Sequence, residues 1–251
     1  MDFILLFILI FFLNKLFVSN IVNKNPNLST KLLNNLFFYH IFFFGVYYAT
    51  TIFSASDSNE YYRNASEIGS NFSLLSFTGT QFIDNFAAPF ASLGLSYESM
   101  MLLFSCFGYI GFVYAYLFFK ENIPVDVQVF KRYDLLTLLL FLPNMHFWTA
   151  SLGKGSLIFM GLMLFVVAIK RPRQRILILL LGGFIVYMIR PSVMLFVLGG
   201  VMVGLLTGRE KLGLGSRILI VIASVLFLYA ASSTILGIAN IENTDNAVEE
   251  F

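Results

Sequence analysis

The chain has 251 residues, of which 58% are apolar and 12% are charged, whereas a soluble domain has roughly 45 to 50% and 25%. This composition excludes a soluble globular protein, because so much apolar surface needs lipid to cover it. The formal net charge of +2 excludes nothing, but the single cysteine, Cys106, excludes an intrachain disulfide and a thiolate metal cluster.

Eight apolar stretches are candidates for membrane-spanning helices, since a helix needs about 20 residues to cross about 30 Å of hydrocarbon. The first follows Asp2 rather than a basic segment and has no cleavage site after it, so we expect it to be retained. The sequence therefore predicts an all-α fold, a polytopic transmembrane helix bundle that forms one domain over residues 1–251. Its eight expected crossings are 3–19, 36–53, 99–119, 135–151, 156–169, 176–189, 193–207 and 218–238.

The longest connection, residues 54–98, is predicted to be an extracytoplasmic loop. A structureless loop of that length is uncommon in a compact domain. Its repeated aromatic residues favour amphipathic segments that lie on the outer surface.

The distribution of charge sets the expected orientation. All 16 Lys and Arg residues except Arg63, Lys154 and Arg190 fall on one side of the eight-helix topology, and Lys and Arg are retained on the cytoplasmic side. Ten of the 14 acidic residues fall on the other side, namely Asp2, Asp57, Glu60, Glu67, Asp84, Glu98, Glu242, Asp245, Glu249 and Glu250. Both distributions predict an integral membrane protein with its N-terminus outside.

Two of the exceptional cations mark outward-facing hairpin tips. Lys154 and Arg190 each lie between apolar stretches, and the stretches 156–169 and 176–189 span only about 21 Å each. The tips of these two broken hairpins should therefore be recessed, and broken helices at that depth are tolerated where they line protein or a watery cavity. We expect Lys154 and Arg190 to face one aqueous pocket that is open to the outside.

The residues after these tips favour an anionic ligand. Ser156 and Ser192 can cap the helices that follow, and free N–H groups at a helix start attract phosphate. The alternative is a structural role, in which Lys154 and Arg190 pair with external acids such as Asp57 and Glu60 or with lipid headgroups.

Candidate catalytic groups lie close to the tips in the sequence. Asp57 and Glu60 open the external loop and share a helix face if that segment is helical, so Asp57 is the first candidate for a general base. A solvated acidic turn is the alternative. His146 is a candidate base or a packing residue, and Trp148 is a candidate substrate contact or an interfacial anchor.

Several of these residues together resemble a known class of protein. Asp57-x-x-x-Tyr61, then Pro143-Asn144-x-x-Phe147-Trp148, Lys154 and Arg190-Pro191 resemble bacterial polytopic proteins of surface-polysaccharide biosynthesis. These include the O-antigen and exopolysaccharide polymerase-like members of the GT-C class of glycosyltransferases. Such proteins usually continue into further helices and a second large external loop, so this sequence, which ends at Phe251, is consistent with a fragment of a longer chain.

The resemblance implies an enzyme of the bacterial inner membrane that transfers a saccharide from a polyprenyl-diphosphate carrier at the extracytoplasmic face. It makes Lys154 and Arg190 the residues that bind the saccharide carrier and Asp57 the acidic group near the acceptor hydroxyl. Taken with the residues discussed above, the candidate catalytic residues are Asp57, Glu60 and His146, and the candidate substrate-binding residues are Lys154, Arg190, Tyr61, Tyr62, Arg63, Trp148, Ser156 and Ser192. The resemblance implies no metal and no cofactor, and the motifs GxxxxGK[ST], HExxH and CxxC do not occur. The implied partners are a lipid-linked saccharide, membrane lipids and other polysaccharide-assembly proteins, and no nucleic acid.

Two other functions are compatible with the same sequence features. A carrier or exporter of an anionic solute would also use broken hairpins near the middle of a membrane. A non-catalytic membrane assembly subunit would use the external charges for contact with other proteins.

Overall fold

The structure, a computed structural model, describes residues 2–75, 78–123, 127–130 and 133–207, together with positions 218, 222, 225 and 229. It is helical except for a short antiparallel ribbon of β1 (Gln128–Phe130) and β2 (Tyr133–Asp134). The helices are α1 (Asp2–Lys24), α2 (Thr30–Phe53), α3 (Asp57–Ile68), α4 (Thr80–Ser92), α5 (Tyr97–Asn122), α6 (Leu135–Leu140), α7 (Pro143–Thr149), α8 (Lys154–Ile169), α9 (Ile176–Ile189) and α10 (Pro191–Thr207).

The chain forms two compact units, Met1–Ile189 and Arg190–Phe251. The first unit contains α1 to α9 and the hydrophobic core. In the second unit, the carbonyl of Arg190 accepts the N–H groups of Val193 and Met194 and so begins α10.

The prediction of eight crossings is wrong for the part of the chain that the structure describes. Three helices, α1, α2 and α5, are long and apolar enough to cross a membrane, with 23, 24 and 26 residues. Helices α8 and α9 have only 16 and 14 residues, or about 24 and 21 Å. Helix α10 has 17 residues, and the expected crossing at 218–238 lies outside the described residues apart from single positions.

The expected crossing at 135–151 is divided into two short helices. Leu142 is extended, with φ −64° and ψ 117°, and it precedes Pro143, the first residue of α7. Proline lacks a backbone N–H and disfavours helical geometry in the residue before it. Helix α6 therefore ends at Leu140 and α7 begins at Pro143.

The long connection after α2 contains two helices, α3 and α4. Helix α3 begins after Ser56, whose hydroxyl accepts the N–H of Ser58, and ends at Gly69, whose φ of 54° suits glycine. It buries one face, formed by Ser58, Tyr61 and Ala65. Helix α4 packs against α3, α5 and α9, so the connection is part of the folded core.

Hydrogen bonds at the helix ends define two ends of the first unit. The carboxylate of Asp2 accepts the N–H of Ser96 at 2.8 Å and the hydroxyl of Ser99 at 2.7 Å, which joins the starts of α1 and α5. Tyr48, near the end of α2, donates to Glu98 at 2.9 Å. We call this the Asp2 end. Helices α1 and α5 therefore run in parallel, and α2 runs against them.

At the opposite end, which we call the Arg175 end, Arg175 forms a bidentate ion pair with Glu121 near the end of α5. Lys170 donates to the carbonyl of Glu121 at 2.9 Å. The ends of α5 and α8 and the start of α9 meet there, and Lys170 and Arg175 lie at the same place.

The core lies around α5, which packs most closely on α8. A Cβ on Gly111 would lie 2.5 Å from the Phe159 ring, so the absence of a side chain lets the two helices approach. Helices α8 and α9 approach through Gly182, where a Cβ would lie 2.6 Å from the carbonyl oxygen of Gly161. Small residues at such contacts are typical of helix pairs in membranes.

Candidate active site at the Asp2 end

The turn between α7 and α8 lies inside the first unit. Its residues, 150–153, are buried, and the N–H of Leu152 lies 3.2 Å from the sulfur of Met101. Met101 is four residues into α5, so this turn lies about 6 Å inside the start of that helix. We call residues 150–154 the α8 tip. Helix α8 begins at Lys154 after Gly153, which has no side chain to cap the first N–H groups.

Helix α4 covers the α8 tip. The ammonium of Lys154 donates to the hydroxyl of Thr80, the first residue of α4, at 2.6 Å. The preceding residue, Gly79, donates its N–H to the carbonyl of Met188 near the end of α9 at 2.8 Å. The start of α8, the end of α9 and the start of α4 therefore meet at one place.

Asp84 is the buried acid of this region. It is 6% exposed, its Oδ2 accepts from the amide of Asn64 at 3.4 Å, and its Oδ1 has no hydrogen-bond partner within the described residues. Burial raises the pKa of Asp84 above its ordinary value, while the Asn64 amide and the charge of Lys154 oppose this shift. A carboxylate with a free, desolvated oxygen is a suitable proton acceptor.

Tyr61 lies on the inner face of α3, against the α8 tip. It is 6% exposed, and a Cβ on Gly153 would lie 3.4 Å from its ring. Burial, and after it the negative charge of Asp57, raises the pKa of Tyr61 to about 12. Its phenol therefore remains protonated at neutral pH and can donate a hydrogen bond.

A polar hollow of about 490 Å³ lies beside Asp84 between α3 and α4. Its wall is held by Asn85, which accepts the N–H of Ser73 at 2.8 Å and donates to the carbonyl of Gln81 at 2.9 Å. Carboxamides offer donors and acceptors together, which suits a ligand rich in hydroxyl groups. The lining residues are Asn64, Glu67, Ile68, Asn71, Gln81, Asp84 and Asn85.

Three of the predicted site residues lie on the exposed face of α3. Asp57, Glu60 and Arg63 are exposed, and Arg63 lies 3.7 Å from Glu60 and 4.0 Å from Glu67. Their placement offers no burial that would tune an acid or base. Their catalytic and binding roles stay predictions, and the buried acid of this region is Asp84.

The aromatic candidates Tyr62 and Trp148 differ in their contacts and exposure. The hydroxyl of Tyr62 donates to the carbonyl of Leu95 at 3.3 Å, which fixes it to the start of α5. Trp148 is 58% exposed and packs edge-on against Phe147 with 5.2 Å between ring centroids, as an interfacial anchor would.

The two serines lie just inside their helices. Ser156 is buried in the first turn of α8 and donates to the carbonyl of Gly153 at 3.1 Å. Ser192 lies in the first turn of α10, and both Ser192 and Arg190 belong to the second unit. The joint pocket of Lys154 and Arg190 therefore stays a prediction.

His146 lies in the interior of the first unit rather than in the hollow. It is fully buried, and its Nδ1 lies 2.8 Å from Nδ1 of His40 on α2. This partner could not be predicted, because the two histidines are 106 positions apart in the sequence.

Asp84 was also missed as a site residue, because the sequence shows it only as one of several external acids. The one available signal was its position between Phe82, Ile83 and Phe86, in an apolar segment where an acid is unexpected. No protein-family model, no curated protein and no solved structure matches the chain. The three long apolar helices indicate a membrane protein.

Proposed function

We propose that the chain is a membrane glycosyltransferase or polysaccharide polymerase that acts on a polyprenyl-diphosphate-linked saccharide. The observation that supports this most directly is that Asp84, which is buried, has a free oxygen and lines the hollow, lies within electrostatic reach of the Lys154 ammonium. The Asp2 end would face the extracytoplasmic side of a bacterial inner membrane, with the N-terminus outside, because the cations gather at the Arg175 end.

The proposed reaction uses the two charged groups in complementary roles. The hydroxyl oxygen of the acceptor saccharide attacks the anomeric carbon of the donor, and the bond from that carbon to the phosphate oxygen breaks. The acceptor's proton passes to the carboxylate of Asp84 as general base. The diphosphate leaves with the bonding electrons, and the ammonium of Lys154 stabilises its charge.

Asp84 takes the role that the sequence suggested for Asp57. Asp57 is exposed, so water solvates its carboxylate in the unliganded protein. Asp84 is shielded from water and its Oδ1 makes no competing hydrogen bond within the described residues, which favours proton transfer from a bound hydroxyl.

The hollow between α3 and α4 would hold the acceptor saccharide. Its carboxamides can pair with sugar hydroxyl groups, and Asp84 is part of its wall. The α8 tip is recessed by about one helical turn, a depth at which the diphosphate of a lipid carrier could reach Lys154 while its polyprenyl chain stays in the bilayer.

Transfer from a lipid-linked oligosaccharide in proteoliposomes tests this proposal. We expect Asp84→Asn and Lys154→Ala to lose product, whereas the matched controls Asp57→Asn and Lys31→Ala keep it. Lys31 is an exposed lysine at the start of α2, far along the chain from the site. Product formed at the unsubstituted rate by correctly inserted Asp84→Asn and Lys154→Ala proteins would exclude the proposed chemistry.

The short lengths of α8 and α9 favour a second candidate, a carrier of an anionic solute, because discontinuous helices often form transport sites. Counterflow of a labelled sugar phosphate in the same proteoliposomes separates the two functions. Transport that depends on Lys154 without formation of a glycosidic bond would favour the carrier.

A further inference from the structure

The only two histidines of the chain meet inside the first unit. His40 is on α2 and His146 is on α7, and neither side chain has any exposure. Their Nδ1 atoms lie 2.8 Å apart, which is a hydrogen-bond distance. This pair, the histidine dyad, is separate from the hollow and from the α8 tip.

The other nitrogen of each ring faces a backbone carbonyl. Nε2 of His40 lies 3.0 Å from the carbonyl oxygen of Ser105, and Nε2 of His146 lies 2.7 Å from that of Leu140. A carbonyl oxygen can only accept a hydrogen bond, so each Nε2 must carry a proton. The contact between the two Nδ1 atoms needs one more proton, because two bare nitrogens at 2.8 Å would repel each other.

The hydrogen bonds therefore require three protons on four ring nitrogens. Two neutral imidazoles supply only two, so all three contacts can be hydrogen bonds at once only if one member of the dyad is an imidazolium and the other is a neutral imidazole. A neutral dyad would have to break one of the three hydrogen bonds or separate its rings.

Burial opposes a positive charge on the dyad, and its surroundings offset part of this cost. The ring of Phe112 stacks on His146 with 3.9 Å between centroids and an interplanar angle of 1°, so the negative face of its π-system lies against the imidazole. Each ring also receives a carbonyl dipole through Nε2.

The other rings around the dyad come from α2 and from the link between α6 and α7. Tyr39 and Phe43 on α2 and Phe141 after α6 all contact His146. Tyr39 is the titratable member of this group, and its hydroxyl donates to the carbonyl of Phe141 at 3.1 Å. Helix α5 presents Phe112 to both histidines.

We infer that His40 and His146 form a binding site for one proton, which clamps α7 to α2 and thereby holds the α8 tip in place. The connection to the tip is short, because α7 ends at Thr149 and the tip begins with the next residue. A Cβ on Gly108 would lie 2.1 Å from the Thr149 carbonyl oxygen and 3.1 Å from Nε2 of His40, so the end of α7 and the dyad share one closely packed space. Loss of the proton breaks one of the three hydrogen bonds or separates the rings, and so weakens the clamp between α7 and α2.

Because the chain has no other histidine, ¹⁵N-histidine labelling reports on the dyad alone. We expect solid-state NMR of the unsubstituted protein in bilayers at neutral pH to show three protonated ring nitrogens and one bare nitrogen per chain. We also expect a through-hydrogen-bond coupling between the two Nδ1 atoms, which disappears at alkaline pH. Two protonated and two bare nitrogens without this coupling, in folded protein at neutral pH, would overturn the inference.

Two variants control for packing. His146→Phe retains a ring against Phe112 but removes the nitrogens, so it should abolish the coupling and leave the remaining His40 neutral. The Phe43 ring packs against His146 with 5.9 Å between ring centroids and makes no hydrogen bond to it. Phe43→Leu should therefore keep the coupling. A coupling that survives in His146→Phe would contradict its assignment to the dyad. The measurement on the unsubstituted protein decides the question even if a variant fails to fold, and it does not depend on the proposed enzymatic activity.

Discussion

The two ends of the first unit differ in whether their buried charged side chains are paired. At the Arg175 end, Arg175 and Glu121 have only 16% and 15% of their side-chain surface exposed, and they satisfy each other in a bidentate pair. At the Asp2 end, Asp84 is buried with a free oxygen, and the Lys154 ammonium nearby donates to the hydroxyl of Thr80. The first arrangement fixes helix ends, whereas the second leaves hydrogen-bonding capacity for a ligand.

This difference gives a criterion for separating structural from functional charges in the chain. A charge that serves only stability should be paired and costly to remove. A charge that serves a reaction should lower the free energy of unfolding. Its removal should therefore leave stability unchanged or raise it, while activity is lost. Substitutions at Asp84 and at Glu121 test this criterion at the two ends.

The largest effect is expected at Asp84. Asp84→Asn keeps the shape of the side chain but removes the proposed general base, so transfer should fall by about 10² to 10⁴-fold. The free energy of unfolding should stay the same or rise, because a buried charge with an unsatisfied oxygen is replaced by a neutral amide. Product assays and thermal unfolding of the same detergent-solubilised protein measure both quantities. A variant that loses stability and activity together would assign Asp84 a structural role.

At the Arg175 end, Glu121→Ala should lower the free energy of unfolding by about 3 kcal/mol, because it leaves the guanidinium of Arg175 largely buried and without its partner. The double variant Glu121→Leu with Arg175→Leu should recover most of this loss, since an apolar pair leaves no charge unpaired. Denaturation of the three proteins in the same detergent checks this expectation. If the double variant is as unstable as Glu121→Ala, the pair contributes through packing rather than through charge.

The sequence predicted the parts of the fold that depend on continuous apolar runs. The stretches that became α1, α2 and α5 are long enough to be recognised as spanning helices from hydropathy alone. Among the described residues, the number of crossings was overestimated because Pro143 divides one apolar run and because α8 and α9 are shorter than the bilayer. Hydropathy measures the polarity of a run, but the helix boundaries depend on backbone geometry.

Of the residues that the structure gathers around the α8 tip, the sequence pointed to Lys154, through the short apolar stretches beside it, and to Tyr61, and their roles stay predictions. Asp84 could not be predicted, because its burial results from the packing of α3 on α4. The contact between His40 and His146 joins residues that are 106 positions apart, and no local pattern reports such a pair. Tertiary packing, rather than composition, creates both features.

The pH dependence of stability should report the titration of Asp84. Because burial raises the pKa of Asp84 in the folded state, folding takes up a proton between the ordinary carboxyl pKa and the raised one. Stability contributed by this group should therefore increase as pH falls through that window, and transfer activity should decrease as Asp84 becomes protonated. Asp84→Asn should remove this pH dependence of stability, as measured by unfolding across mildly acidic pH. An unchanged profile in the variant would show that another group is responsible.

The smallest effect is expected at Arg63, which also tests its predicted role in substrate binding. Its side chain is 67% exposed, and its distances to Glu60 and Glu67 are 3.7 and 4.0 Å, so the pairs are solvated and screened by salt. Arg63→Ala should change the free energy of unfolding by less than about 0.5 kcal/mol. Because Arg63 lies on the face of α3 opposite Tyr61, it should also leave the KM for the lipid-linked saccharide unchanged, in contrast to Lys154→Ala. A several-fold rise in KM for Arg63→Ala at normal stability would extend the binding surface over the exposed face of α3, and the contrast between buried and exposed charges at the Asp2 end would then be lost.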